Sequence, residues 1–111
     1  MTEVKIIRKA NKIVKFSCDG HCDWGEEGED IVCAALSSIV QTAVLGLMQV
    51  ALLPVDYKVD AKKALLECVL PKNLSETDRH SADMILETMF LGVADLNSEY
   101  GKYIKLEQIK E

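Results

Sequence analysis

From Ile31 to Leu53 the chain carries no charged side chain. A segment so apolar must be buried in a core or in a bilayer, and that choice limits what the rest can be. Within it Val32, Leu36, Ile39, Val40, Ala43, Leu47, Val50 and Ala51 recur at helical spacing. Ser37, Ser38, Gln41, Thr42 and Gln49 interrupt the run and basic flanks are missing, so the pattern predicts a core helix and no membrane partner. Much of the opposite face is apolar too, which predicts a central helix covered on several sides. Pro54 ends it at or before Leu53, because proline disfavours helix in the residue before it.

The remaining segments alternate or repeat in ways that surround such a helix. Val4 and Ile6, then Ile13, Val14 and Phe16, mark two β-prone stretches joined by the polar Lys9-Ala-Asn-Lys12 turn. The second stretch runs to about Cys18 and delivers Asp19-Gly20 to a turn. Tyr57 to Asp60 and Ala64 to Leu70 read as another strand pair, closed by Pro71. Ser75-Glu-Thr-Asp78 fits a capping box, after which Ala82, Ile85, Leu86, Met89, Phe90, Val93 and Leu96 trace an amphipathic helix. Alternation over Tyr103 to Ile109 gives a closing strand. The order β-β-α-β-β-α-β predicts one α+β domain over residues 1–111, a mainly antiparallel sheet with two helices on one face.

Charge and cysteine content bear on partners and compartment. A net charge of −5 argues against direct nucleic-acid binding and favours a basic peptide or protein. No charged and apolar leader opens the chain, so a cytoplasmic address is the default. In a reducing compartment four cysteines read as free thiols, metal ligands or catalytic groups more readily than as a disulfide framework.

Chemistry concentrates in DGHCDWGEEGEDIVCAALS, residues 19–37. Asp30 or Glu29 can cap the core helix, which places Cys33 in its first turn, where the N-terminal N–H groups favour a thiolate. That help is worth about 0.3–1 kcal/mol when exposed and up to about 2 when partly buried. Glu26, Glu27, Glu29 and Asp30 oppose it by raising the thiol pKa if they crowd the sulfur, and Asp23 adds to the acidity of the stretch. His21, just past a strand end, supplies the missing base or imidazolium partner, and the intervening loop is long enough to fold back. Ser37, one turn beyond Cys33, shares its face and can bond the histidine or line a pocket. Gly25 and Gly28 would let the loop move for an entering peptide.

Plainer readings stand beside these. Buried cysteines are usually inert, which suits Cys68 and Cys18; His80 reads as surface, and Trp24 as a flap or interface anchor. Acidic clusters are commonly solubility features. Cys18, His21, Cys22 and Cys33 also form a zinc-capable set, although the spacing matches no familiar ribbon or finger. A non-enzymatic zinc- or protein-binding accessory factor is the alternative from another class.

The block Gly20-His21, Gly25, Gly28 and Asp30-Ile-Val-Cys33-Ala34 with Ser37 resembles the signature of the ribosomal-processing cysteine protease family, with no gap needed. The resemblance implies Cys33 as nucleophile and His21 as its partner in a dyad. It also implies a cytosolic, homodimeric endopeptidase without cofactor, gated by the glycine-containing loop. The implied substrate is the precursor of large-subunit ribosomal protein twenty-seven, which loses a short N-terminal extension. Within that reading the acidic residues of the loop attract a basic substrate. Cys22 departs from the small inert residue usual after the histidine: it is either tolerated there or, brought to Cys33, able to shut the site by oxidation.

Overall fold

The computed structural model describes residues 1–20 and 29–111, with the side chains of Glu29 and Asp30 left aside. The elements are β1 (Thr2–Lys9), β2 (Lys12–Asp19), α1 (Glu29–Leu45), β3 (Asp56–Asp60), β4 (Leu65–Val69), α2 (Glu76–Tyr100) and β5 (Ile104–Lys110), in the expected order. The sheet runs β3-β4-β2-β1-β5. Every neighbouring pair is antiparallel except β1 with β5, which is parallel and adds the last strand beside the first.

One face of this sheet is dry and the other wet. Thr2, Val4 and Ile6 alternate inward on β1, opposite Phe16 and Cys18 on β2, with Leu66 and Cys68 on β4 and Ile104 on β5. The opposite face carries the ion pairs Lys5–Glu3 at 3.3 Å and Lys15–Glu67 at 3.4 Å. Ile13 and Phe16 are both fully buried although three residues apart, which simple alternation forbids. The register slips between Ile7 and Arg8, leaving Val14 as an extra residue that turns Ile13 back inward. The hairpin closes through Ala10 and Asn11, both at positive φ, the geometry a two-residue turn between twisted strands requires.

Both helices cover the dry face. A Cβ added at Gly46 would lie 3.4 Å from Ile85, and one added at Gly92 would lie 3.4 Å from Ile39, so each glycine gives an isoleucine of the other helix a flat seat. α1 continues into a π-helical turn over Gly46–Val50 and stops where Leu52 takes a positive φ and the Leu53 N–H bonds the Leu47 carbonyl. Ser75 caps α2 as its sequence predicts, accepting from the Asp78 N–H at 3.1 Å.

Two expectations for α1 need correction. It begins at Glu29, so Cys33 is its fifth residue, at the start of the second turn and beyond the strongest pull of the helix end. Its outer face is not covered by the described residues: Val32, Leu36, Val40, Ala43, Val44 and Leu47 are buried, whereas Ile31, Leu45, Met48 and Val50, the last two in the π-helical turn that follows, are exposed. By length and composition Ile31–Val50 is able to cross a bilayer, and here its inner side packs on the sheet and α2.

At the end of the sheet away from Cys33, α2 is tied to the β1–β2 hairpin. Arg8 forks onto both oxygens of Glu87 at 2.8 and 2.9 Å. Asp83 accepts from Lys12 at 2.9 Å and from Arg79 at 2.8 Å, while Arg79 also donates to the Ile13 carbonyl. Burial by itself would raise the Asp83 pKa, but the bonds from Lys12 and Arg79 outweigh it and hold the carboxyl below its ordinary value. Stability from a depressed carboxyl is present above its unfolded pKa and drains as pH falls through the folded one. Asp83→Asn should therefore lower stability by about 1–2 kcal/mol at neutral pH. The difference from wild type should shrink on acidification below about pH 4, as urea melts at several pH values will show.

Candidate active site

The residues of interest gather where the N-terminus of α1 passes the open ends of β1 and β2. β1 enters there with Thr2, whose N–H bonds the Tyr103 carbonyl at 3.0 Å just before β5. β2 leaves there with Asp19 and Gly20. The turn between β3 and β4 closes the third side: Asp60 accepts from the Lys62 and Lys63 N–H groups at 3.1 and 3.2 Å, and Ala64 takes a positive φ.

Gly20 is locked between these pieces. Its N–H donates to the Ala64 carbonyl at 3.1 Å. A Cβ placed on it would fall 2.7 Å from the Thr2 Cα and 2.8 Å from the Met1 carbonyl oxygen. Both are backbone atoms, so nothing flexible can yield, and only glycine fits. The glycine of the Gly-His pair is thus explained by close approach: it lets β2 end flush against the start of β1 and fixes where the next residue leaves the sheet.

A cleft of about 180 Å³ opens between these elements, lined by Thr2, Cys18 and Gly20 together with Cys33, Ser37 and Gln41 of α1. Its far wall is Val59 to Ala61 and Ala64 to Leu66 of the β3–β4 hairpin. Cys33 is half-buried at its edge, and the Thr2 hydroxyl donates to the Cys33 sulfur at 3.6 Å. Cys33 is disulfide-bonded in this structure, so the side chain with nucleophilic capacity is its reduced form. Ser37 lies on the same wall and its hydroxyl accepts from the Gln41 amide at 2.6 Å.

The other thiols divide as their surroundings dictate. Burial, with Asp19 nearby, pushes Cys18 up to about 11, and burial, with Asp56 nearby, pushes Cys68 up to about 12. Both stay protonated at neutral pH and are poor nucleophiles and poor ligands. Among the described residues no group of three His, Cys, Asp or Glu side chains is arranged to hold a metal ion.

Of the residues singled out in the sequence, Gly20, Cys33 and Ser37 share the cleft. His21, Cys22, Asp23, Trp24, Gly25, Glu26, Glu27 and Gly28 lie outside the described residues, and Glu29 and Asp30 are described only as the first residues of α1. Sequence reasoning missed Thr2, Gln41 and Asp60. Thr2 reaches Cys33 across 31 positions and Asp60 belongs to a hairpin far along the chain, so neither leaves a local signal.

Residues 1–105 match the family described as cysteine protease Prp. The ribosomal processing cysteine protease Prp of Staphylococcus aureus is 27% identical over 100 residues, covering 90% of this chain and 91% of that protein. A crystal structure of the S. aureus protease with a substrate peptide superposes with a TM-score of 0.85 at 27% identity, over 97% of this chain and 99% of that one. A second, with a covalently linked product peptide, gives 0.82 at the same identity and coverage.

The seating of Gly20 is open to a direct check. Gly20→Ala forces the β1 and β2 backbones apart and should cost about 1–3 kcal/mol in urea unfolding. It should also change the alkylation rate of reduced Cys33, whereas Asp83→Asn, at the opposite end of the sheet, should leave that rate alone.

Proposed function

The chain belongs to the cysteine protease Prp family, and from that premise we propose a ribosomal-processing endopeptidase working through a Cys33–His21 dyad. One observation supports this reading above the rest. Cys33 and Gly20, the residue bonded to His21, line a single cleft although 13 positions apart, with Ser37 of the same motif between Cys33 and Gln41 along its wall.

The chemistry follows from these groups. His21 takes the proton of the Cys33 thiol, and the sulfur attacks the scissile carbonyl to give a tetrahedral oxyanion. Backbone N–H groups near the start of α1 stabilise that oxygen. The imidazolium then protonates the departing amine, leaving a thioester that water hydrolyses with His21 again as base. The step needs no cofactor or metal. The β3–β4 hairpin opposite α1 gives the peptide its second wall, and Val59, Leu65 and Leu66 make that wall largely apolar.

The substrate in this reading is the precursor of large-subunit ribosomal protein twenty-seven, cut to release a short N-terminal extension. Asp23, Glu26, Glu27 and Glu29 draw in its basic residues, Asp30 supports the start of α1, and Gly25 and Gly28 let the loop admit the peptide. The enzyme is a cytoplasmic homodimer acting as one domain over residues 1–111, with no direct nucleic-acid or membrane partner. The exposed Ile31, Leu45, Met48 and Val50 on α1, with Met84 and Leu91 on α2, support pairing with a second copy.

Two measurements test the reading. Incubated with the precursor in reductant, wild type should trim it to a single shorter mass, and Cys33→Ala should be slower by more than about a thousand-fold. Equal cleavage by the variant would exclude the dyad. Reversing Glu26 and Glu27 to lysine should raise KM several-fold at low salt, and the difference should fade towards 1 M salt, where screening reaches about 3 Å.

A further inference from the structure

The Cys33 sulfur has a polar contact that comes from β1, outside its own helix. Thr2 is the one polar residue among the described core positions, 2% exposed, at the inward-facing start of β1. A threonine buried there places its hydroxyl against polar atoms, and one group it reaches is the sulfur of Cys33, in its disulfide form, at 3.6 Å. Its N–H is bound to the Tyr103 carbonyl at 3.0 Å, so the side chain is carried on a backbone pinned between β2 and β5. On its other side the Thr2 Cα is the atom a Gly20 side chain would strike, with Thr2 Oγ1 itself only 3.1 Å from the same point.

We propose that Thr2 is a positioning residue of the reaction: its hydroxyl, which touches the Cys33 sulfur in the disulfide form, donates to that sulfur when it is reduced and holds it at the cleft, while its backbone seats Gly20. The proposal rests on the reading of Cys33 as nucleophile. A hydroxyl donor favours the anionic sulfur over the thiol, because a hydrogen bond to a charged acceptor is stronger than one to a neutral acceptor. The contribution matters more because Cys33 sits past the first turn of α1, where the helix end helps least. No atom or proton is transferred by Thr2 in any step. It orients the sulfur and seats Gly20.

Thr2→Val keeps the β-branched shape and burial but deletes the donor; Thr2→Ser keeps the donor. The pH–rate profile for iodoacetamide alkylation of reduced Cys33 should move up by about one unit in Thr2→Val and return to within a few tenths in Thr2→Ser. On the precursor protein, Thr2→Val should lower kcat about ten-fold with KM within two-fold, and Thr2→Ser should recover most of it. A Thr2→Val profile superimposable on wild type overturns the proposal. So does a Thr2→Ser variant as impaired as Thr2→Val, which would mark a packing role only. Thermal melts of both variants establish that the comparison is between folded proteins. Cys33→Ala separates the two levels of inference: if it still cleaves, the dyad itself is wrong, and if it is inactive while Thr2→Val is normal, only the role of Thr2 falls.

Discussion

A chain this short can dry only one face of a five-stranded sheet, and that limit organises everything else. The buried side chains of β1, β2 and β4 need a cover, and the uncharged α1 with the amphipathic α2 supplies it. Because α1 must lie on the dry face, its beginning is carried over the ends of β1 and β2. Cys33 reaches the cleft as a consequence of hydrophobic burial that has nothing to do with catalysis. The wet face, laced with weak ion pairs, contributes little to stability and stays free of the site.

The division between scaffold and site is also spatial. Arg8, Lys12, Arg79, Asp83 and Glu87 fasten α2 to the tip of the first hairpin with charged bonds partly shielded from water. Around the cleft close backbone approach and backbone bonds at Gly20, Thr2 and Ala64 stand beside the Asp60 turn and the Cys33 disulfide. The rigid end keeps the sheet and helices in register, and the other end is left with room for a peptide between α1 and the β3–β4 hairpin.

How far the sequence reveals this depends on the range of each interaction. Alternation and helical spacing are local, so the five strands, both helices and the Ser75 cap could be read directly. The bulge at Val14 could not, because its cause is the simultaneous demand of Ile13 and Phe16 for the same face. The start of α1 was read a residue or two late because carboxylates serve equally well as caps and as first-turn residues. An apolar outer face on α1 was read as covered, since sequence records what is hydrophobic and not what lies opposite. Cys33 and Ser37 were legible from their motif. Thr2 was not, for it has meaning only once the first and last strands lie side by side.

That last pairing has a bearing on synthesis. Thr2 emerges first from the ribosome, but the carbonyl that pins it belongs to Tyr103, just ahead of the parallel strand that completes the sheet. Local hairpins can form while translation proceeds, whereas this contact waits for nearly the whole polypeptide. In a growing copy Cys33 is therefore in place in the chain long before the bond that pins Thr2 beside it can form.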